Sequence, residues 1–419
     1  MDRRTFLTGM AATGAGLALA ACGGDDKKSD STTTTTAAGE TAPKQYGTST
    51  NRKVKIGFIA LTDCASVLMA QELGYFTERN VEVEILKQAS WPATRDNLLT
   101  NQIDLAHGLY TLPLSAATGI GGDKRRDIFV AMILNNNGQA ITLANSLADA
   151  GYGDVEAAAE ALGKAGTPQL AMTFPGGTHD LWLRYWLKAC GVKFDKVGIT
   201  AVPPPQMVQN MAANNVAGYC VGEPWGAVAV RQNIGFTHLA TQDLWLDHPE
   251  KALLVTKQIR DERPDVVKDC MGAILKASKW LDDFDNRNQA AEVIGAEKYV
   301  NAPAAEIAGR LNGIYDLGGD LGEKDYKGNQ MRFFRDGSTN FPRKSHYIWA
   351  MAQYQRFGLL ADKPAYKALA DELILSDFYK EVADTEGIAV PDDDMQPFDI
   401  KLDDVTFDPN DPAEEVARA

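Results

Sequence analysis

From Lys53 onward, short apolar segments alternate with segments of helical composition, and that alternation leaves few folds open. Lys53 to Leu61 has the composition of a strand. Ser66 to Leu73 reads as a helix, with Gly74 behind it as a stop signal. Val81 to Leu86 alternates apolar and charged residues, the period of a strand with one buried face. Thr94 to Thr100 is helical in pattern, and Ile103 to Leu105 is a short strand. The same rhythm returns in Ile128 to Leu134, Gln139 to Ala144, Leu170 to Phe174 and Ile199 to Val202 as strands. Ala217 to Gly222 is a further short apolar run. Helical patterns at Val155 to Lys164, Asp180 to Ala189 and Pro205 to Asn214 lie between them. Strands separated by helices imply an α/β fold built on mostly parallel sheets. Beyond about residue 257 the apolar periodicity is helical, most clearly at Pro264 to Phe284 and His346 to Phe357. The tail from Asp392 is acidic and proline-bearing, and is expected to run as extended chain.

The first 52 residues do not belong to that pattern. Arg3 and Arg4 precede an uncharged run from Thr5 to Ala21, the layout of an export signal of the twin-arginine type. Leu19-Ala20-Ala21 sets small residues directly before Cys22, which predicts cleavage at Cys22 and its lipidation. Residues 23–52, rich in Gly, Ser, Thr and Ala with a run from Thr32 to Thr36, have too little apolar surface to order themselves and read as a tether. The expectation is an exported chain, lipid-anchored to the outer face of the cytoplasmic membrane.

No later run approaches the 18 or so consecutive apolar residues of a membrane span. The formal charge is −14, and losing Asp2, Arg3 and Arg4 with the leader takes it to −15, a balance that argues against nucleic acid as partner. The spacing of Cys64, Cys190, Cys220 and Cys270 matches no metal signature and leaves their disulfide state open.

At the level of motifs the chain is more specific. Glu72-Leu73-Gly74-Tyr75-Phe76 and Gln102-Ile103-Asp104-Leu105-Ala106 look like the opening of a type II periplasmic binding protein. Lys55 to Ala65, Ala89-Ser90-Trp91-Pro92-Ala93-Thr94-Arg95-Asp96, Leu112-Pro113-Leu114 with Gly119 to Gly122, and Arg184 to Leu187 follow in order. Tyr219 to Trp225, His248-Pro249-Glu250-Lys251, Lys344 to Trp349 and Phe407 to Pro412 complete the series. Together they resemble the nitrate- and bicarbonate-binding lipoproteins of ABC importers over nearly all of residues 53–412.

The resemblance implies a two-lobed α/β fold with a ligand cleft between the lobes. Residues 53–137 and 245–390 would form lobe 1, residues 138–244 lobe 2, and residues 391–419 the extended tail. It implies a solute-binding protein, not an enzyme, that delivers nitrate or nitrite to permease and ATPase subunits. Bicarbonate, cyanate or an organic sulfonate are the alternatives within the fold. Carried over by position, the anion pocket comprises Trp91, Gln139, Thr178, His179 and Lys251. Thr62, Asp63, Gly177 and Glu223, read from their own places in the chain, are candidate cleft lining. Bicarbonate binders that use a metal carry an acidic residue at or beside the lysine position. The pair here is Lys251-Ala252, which favours nitrate, with no metal and no cofactor.

Part of this chemistry stands without the family. A planar monoanion needs N–H donors in its plane, a positive charge and apolar walls. Pro175-Gly176-Gly177-Thr178-His179 joins a strand to a helix, where glycines admit close approach and free N–H groups point outward; Thr178 as a plain N-cap is the bland reading. Thr62-Asp63-Cys64-Ala65 is a second such junction. Gln139 follows the polar run Asn135-Asn136-Asn137-Gly138, for which a turn is the simpler account. Glu223-Pro224-Trp225 reads as cleft lining or hinge, with a salt bridge as the other use. A remote alternative is a hydrolase with Cys64 as nucleophile and His179 as base, for which no third group is apparent.

Overall fold

The computed structural model describes residues 45–418. The export signal, Cys22 and the tether up to residue 44 lie outside the described residues. Lys53–Phe58 (β1) turns Val54 and Ile56 inward and pairs in parallel with Glu82–Lys87 (β2) from Lys53 opposite Glu82 to Phe58 opposite Lys87. Leu105–Leu109 (β3) lies parallel on the other side of β1, and Ile128–Asn136 (β4) is buried along its whole length. The chain then passes through Asn137 and Gly138 into Gln139–Ala144 (β5), the first strand of another sheet. That sheet is completed by Gln169–Met172 (β6), Gly198–Ala201 (β7), Gly218–Gly222 (β8) and Gly235–Ala240 (β9). Pro249–Thr256 (β10) returns to the first sheet between β3 and β4. The two five-stranded orders are β2-β1-β3-β10-β4 and β7-β6-β8-β5-β9.

The expectation of mostly parallel sheets holds with one exception in each. β10 runs antiparallel to β3 and β4, and β5 antiparallel to β8 and β9. Both exceptions enter their sheet from the other sheet, β5 through two residues and β10 through the single helical turn Thr241–Leu244 and the four residues after it. Neither is reached by the helical crossover that a parallel neighbour requires. The entry into β5 needs Asn137 at φ 61° and Gly138 at φ 90°, and a Cβ on Gly138 would lie 2.1 Å from Met331 Cε.

The two passages between the sheets are tied to each other. Asn137 Nδ2 donates to Asp247 Oδ1 (3.3 Å), Asp247 N–H donates to Asn137 Oδ1 (2.9 Å), and Asn136 Nδ2 donates to the Asp247 carbonyl (2.9 Å). The asparagine run therefore makes the turn its composition suggested, and also locks one crossing onto the other.

Beyond β10 the chain is helical as expected, with Pro264–Asp282 and Lys344–Arg356 the clearest cases. Two expectations need correction. The tether does not run to residue 52. Tyr46 Oη donates to Glu386 Oε1 (3.0 Å), Ser49 N–H to Asp265 Oδ2 (2.9 Å), and Arg52 Nη2 lies 2.5 Å from Asp269 Oδ2. Asp265 and Asp269 at the start of helix 264–282, together with Glu386 at the end of helix 376–386, hold the end of that segment. The tail is not simply extended chain either. Phe398–Ile400 and Val405–Phe407 form a hairpin, and Pro412–Ala417 a helix. Buried Glu415 accepts from Gln353 (2.7 Å) and Arg356 (3.1 Å), which fixes that helix on 344–356.

Candidate functional site

Five side chains expected to act together do meet, and they do so around Lys251. Trp91, Gln139, Thr178, His179 and Lys251 are all buried, at 0–2% exposure, which leaves their polar atoms to be satisfied by each other or by a ligand. Each comes from a different place. Trp91 opens helix Trp91–Leu99, which Ser90 caps by accepting from Ala93 N–H (3.2 Å). Gln139 begins β5 and Lys251 sits in β10, the two strands that enter from the opposite sheet. Thr178 and His179 open helix Thr178–Ala189 directly after β6.

Lys251 Nζ lies 2.8 Å from Asp63 Oδ2 and 2.9 Å from Glu250 Oε1. Asp63 is the hub. Its Oδ1 takes the Nε2 hydrogen of His107 at 2.7 Å, and its Oδ2 accepts from Gln139 Nε2 at 3.0 Å. Gln139 Oε1 is an acceptor only, so the His179 nitrogen 2.8 Å away, Nε2, carries the hydrogen. His179 Nδ1 then accepts from the Thr173 hydroxyl at 2.6 Å. Thr178 does not cap its helix: its hydroxyl donates to Glu250 Oε1 at 2.5 Å. Trp182 Nε1 donates to Glu250 Oε2 at 2.8 Å.

Burial alone would raise the Asp63 carboxyl, but the Lys251 ammonium and the His107 hydrogen bond outweigh it and hold it far below the carboxylate range. Glu250 is held down in the same way, against burial, chiefly by Lys251. The carboxylates of Asp63 and Glu250 push the Lys251 ammonium upward in turn, also against burial. Burial keeps the neighbouring imidazoles neutral, lowering His107 and His248 and taking His179 to about 3.

Two donors remain without a partner in this network. Trp91 Nε1 and Thr62 Oγ1 are buried and make no hydrogen bond. The Trp91 ring centroid lies 5.8 Å from Lys251 Nζ. A buried donor left unpaired costs about 1–3 kcal/mol, which an acceptor delivered by a ligand would recover. The cluster thus offers an ammonium, an indole N–H, a threonine hydroxyl and the second amide hydrogen of Gln139, with the flat face of Trp91 beside them.

Other expectations fare differently. Glu223 turns its carboxylate to Arg310 (3.2 Å) and to the N–H of Ala227 (3.1 Å). Only its carbonyl approaches the site, accepting from Thr62 N–H at 2.6 Å. Gly177 precedes the helix for packing reasons, since a Cβ there would lie 2.7 Å from Leu109 Cδ1. His179 has both nitrogens engaged, so it positions Gln139 in this state, and it is not free to serve as a base for Cys64. Burial pushes the Cys64 thiol upward, away from the thiolate a nucleophile needs. The four described cysteines form no disulfide.

Glu250, His107 and Trp182 were not singled out from sequence. Glu250 corrects the reading of Lys251-Ala252 as a pair without acidic company, because the acidic residue stands on the other side of the lysine. Among the described residues no group of three or more His, Cys, Asp and Glu is placed to hold a metal ion.

The model of the NMT1-like family matches residues 47–295. The chain is 37% identical over 378 residues to the nitrate/nitrite-binding protein NrtA of Nostoc, spanning 86% of this chain and 84% of that protein. It is 26% identical over 383 residues to the bicarbonate-binding protein CmpA of Synechococcus elongatus, spanning 86% and 85%. Its structure superposes on the crystal structure of the periplasmic nitrate-binding protein NrtA from Synechocystis with a TM-score of 0.84 and 34% identity, covering 88% of this chain and 98% of that one.

Proposed function

Since the chain belongs to the NMT1-like family, we propose that it is the solute-binding protein of an ABC importer and captures nitrate or nitrite at the Lys251 cluster. Its likeness to NrtA at 37% identity against 26% for CmpA favours nitrate over bicarbonate. The observation that carries the reading is the unpartnered Trp91 Nε1 within reach of a buried ammonium. Trp91→Phe keeps the apolar wall and removes the N–H. It should weaken nitrate binding about tenfold, the worth of one hydrogen bond to a charged acceptor, with no fall in unfolding temperature. Equal dissociation constants for parent and variant would show that the indole does not face the ligand.

Bicarbonate is the second reading, supported by the resemblance to CmpA and by Glu250 beside Lys251. The two sheets are the cores of two lobes, residues 53–137 with 245–390 and residues 138–244, and the tied passages at Asn136–Asn137 and Asp247–His248 are the hinge. A filled site joins residues from both sheets, so ligand closes the lobes. Small-angle scattering should show a smaller radius of gyration at saturating nitrate; identical curves with and without ligand would count against closure.

Export by the twin-arginine signal and lipid attachment at Cys22 place the chain on the outer face of the cytoplasmic membrane, where permease and ATPase subunits receive the anion. No described helix is long and apolar enough to cross a membrane. Cys22→Ser should move the protein from the membrane to the soluble fraction or block its maturation. Unchanged fractionation together with unchanged lipid labelling would refute the anchor.

A further inference from the structure

The charges around Lys251 do not suit an anion as they stand. Asp63, Glu250 and Lys251 are each 0% exposed, so water screens none of them. One ammonium is shared between two carboxylates at 2.8 and 2.9 Å, which leaves one net negative charge in the cluster. The remaining facing groups add no positive charge. His107 comes from β3 and donates to Asp63, His248 from the passage before β10, Gln139 from β5 and Cys220 from β8. Burial keeps both of those imidazoles neutral and holds the Cys220 thiol protonated. A monoanion entering this space would raise the local charge to two negatives where the dielectric is low, an arrangement that buried sites avoid.

One pair of groups is built to relieve it. His179 Nε2 lies 3.3 Å from Glu250 Oε1, and its Nδ1 lies 2.6 Å from the Thr173 hydroxyl. That hydroxyl donates to a neutral ring and, by rotating, accepts from a protonated one, so His179 gains a proton without losing a partner. We propose that the site takes its anion together with one proton from solution, held on the His179–Glu250 pair, so that the species captured is the equivalent of a neutral acid. This rests on the reading of the site as an oxyanion pocket. It makes Glu250 the residue that sets the charge of the acceptable ligand: a monoanion is balanced by one proton, and a dianion is not.

Linkage fixes the consequence. With the free site at the low pKa that burial gives His179 and the filled site at a higher one, affinity falls tenfold per pH unit as pH rises between the two values. One proton is taken up per anion in that window. The test is calorimetric titration of the purified chain with sodium nitrate at pH 7 in bis-tris, imidazole and Tris, cationic buffers of different ionisation enthalpy. The slope of observed heat against buffer enthalpy counts protons. The expected slope is close to one for the parent. It should be close to zero for Glu250→Gln, whose amide imitates the protonated acid and whose affinity should stay level between pH 6 and 8. Saturable binding by the parent with a slope near zero overturns the proposal. So does binding that requires added calcium or magnesium without proton uptake, which would assign the missing charge to a metal cation. Absence of any saturable heat or thermal shift with nitrate, nitrite or bicarbonate is a different result: the oxyanion reading itself then fails, and the inference with it.

Discussion

Lys251→Ala should weaken nitrate binding about 30- to 150-fold and also destabilise the folded chain by about 3–5 kcal/mol, because it strands two buried carboxylates. Asp63 and Glu250 are both 0% exposed and share this one ammonium. From the anion alone, loss of a charged donor would cost about 2–3 kcal/mol of binding; the second effect follows only from the buried pair of acids. Gln139→Ala removes a neutral amide and should cost binding less. Urea unfolding of both variants beside the parent, with nitrate titrations on the folded fraction, separates the two effects. A Lys251→Ala protein that unfolds with the parent and binds nitrate like the parent would mean that the cluster is neither the stabilising network nor the pocket.

Arg310→Ala should be comparably harmful, by about 3–5 kcal/mol, and without a direct effect on the anion. Arg310 Nε lies 3.2 Å from the Glu223 carboxylate, with the two side chains at 2% and 0% exposure. Its Nη2 donates to Thr237 Oγ1 at 3.0 Å, and its guanidinium sits 4.0 Å from the Tyr315 ring centroid. Burial raises the Glu223 carboxyl and Arg310 counters it, so removing Arg310 leaves an acid that must protonate or be expelled. Arg310→Met combined with Glu223→Gln should recover most of the loss, since a neutral pair leaves no unpaired buried charge. Equal destabilisation in the single and double variants, measured by chemical denaturation, would show that packing and not charge holds this corner.

Much of the site was legible because its residues fall at junctions that sequence marks well. Pro175 to His179 and Thr62 to Ala65 lie between strand and helix, where glycines and small polar residues stand out against apolar runs. Two of the residues that escaped are buried inside strands. His107 sits in β3 and Glu250 in β10, strands covered on both faces along their length. Such strands lose the alternation that separates an inward from an outward residue, so no pattern marks Glu250 as facing the site. The family resemblance pointed to Lys251 and could not show that its neighbour shares the site. Trp182 lies one helical turn after His179 on the buried face of helix 178–189, and its role appears only once β10 brings Glu250 alongside. For Glu223 the structure takes the salt bridge of the two uses its sequence left open: its backbone reaches Thr62, but its side chain answers to Arg310, more than eighty residues later in the chain.

The capture of a small inorganic oxyanion at the Lys251 cluster is tested most directly by calorimetric titration of the purified chain against nitrate, nitrite, bicarbonate, cyanate and an alkanesulfonate under one set of conditions. Saturable one-to-one binding of nitrate, shared with nitrite and stronger than that of the other three, is the predicted result. Binding of bicarbonate or the sulfonate with no heat from nitrate would contradict it.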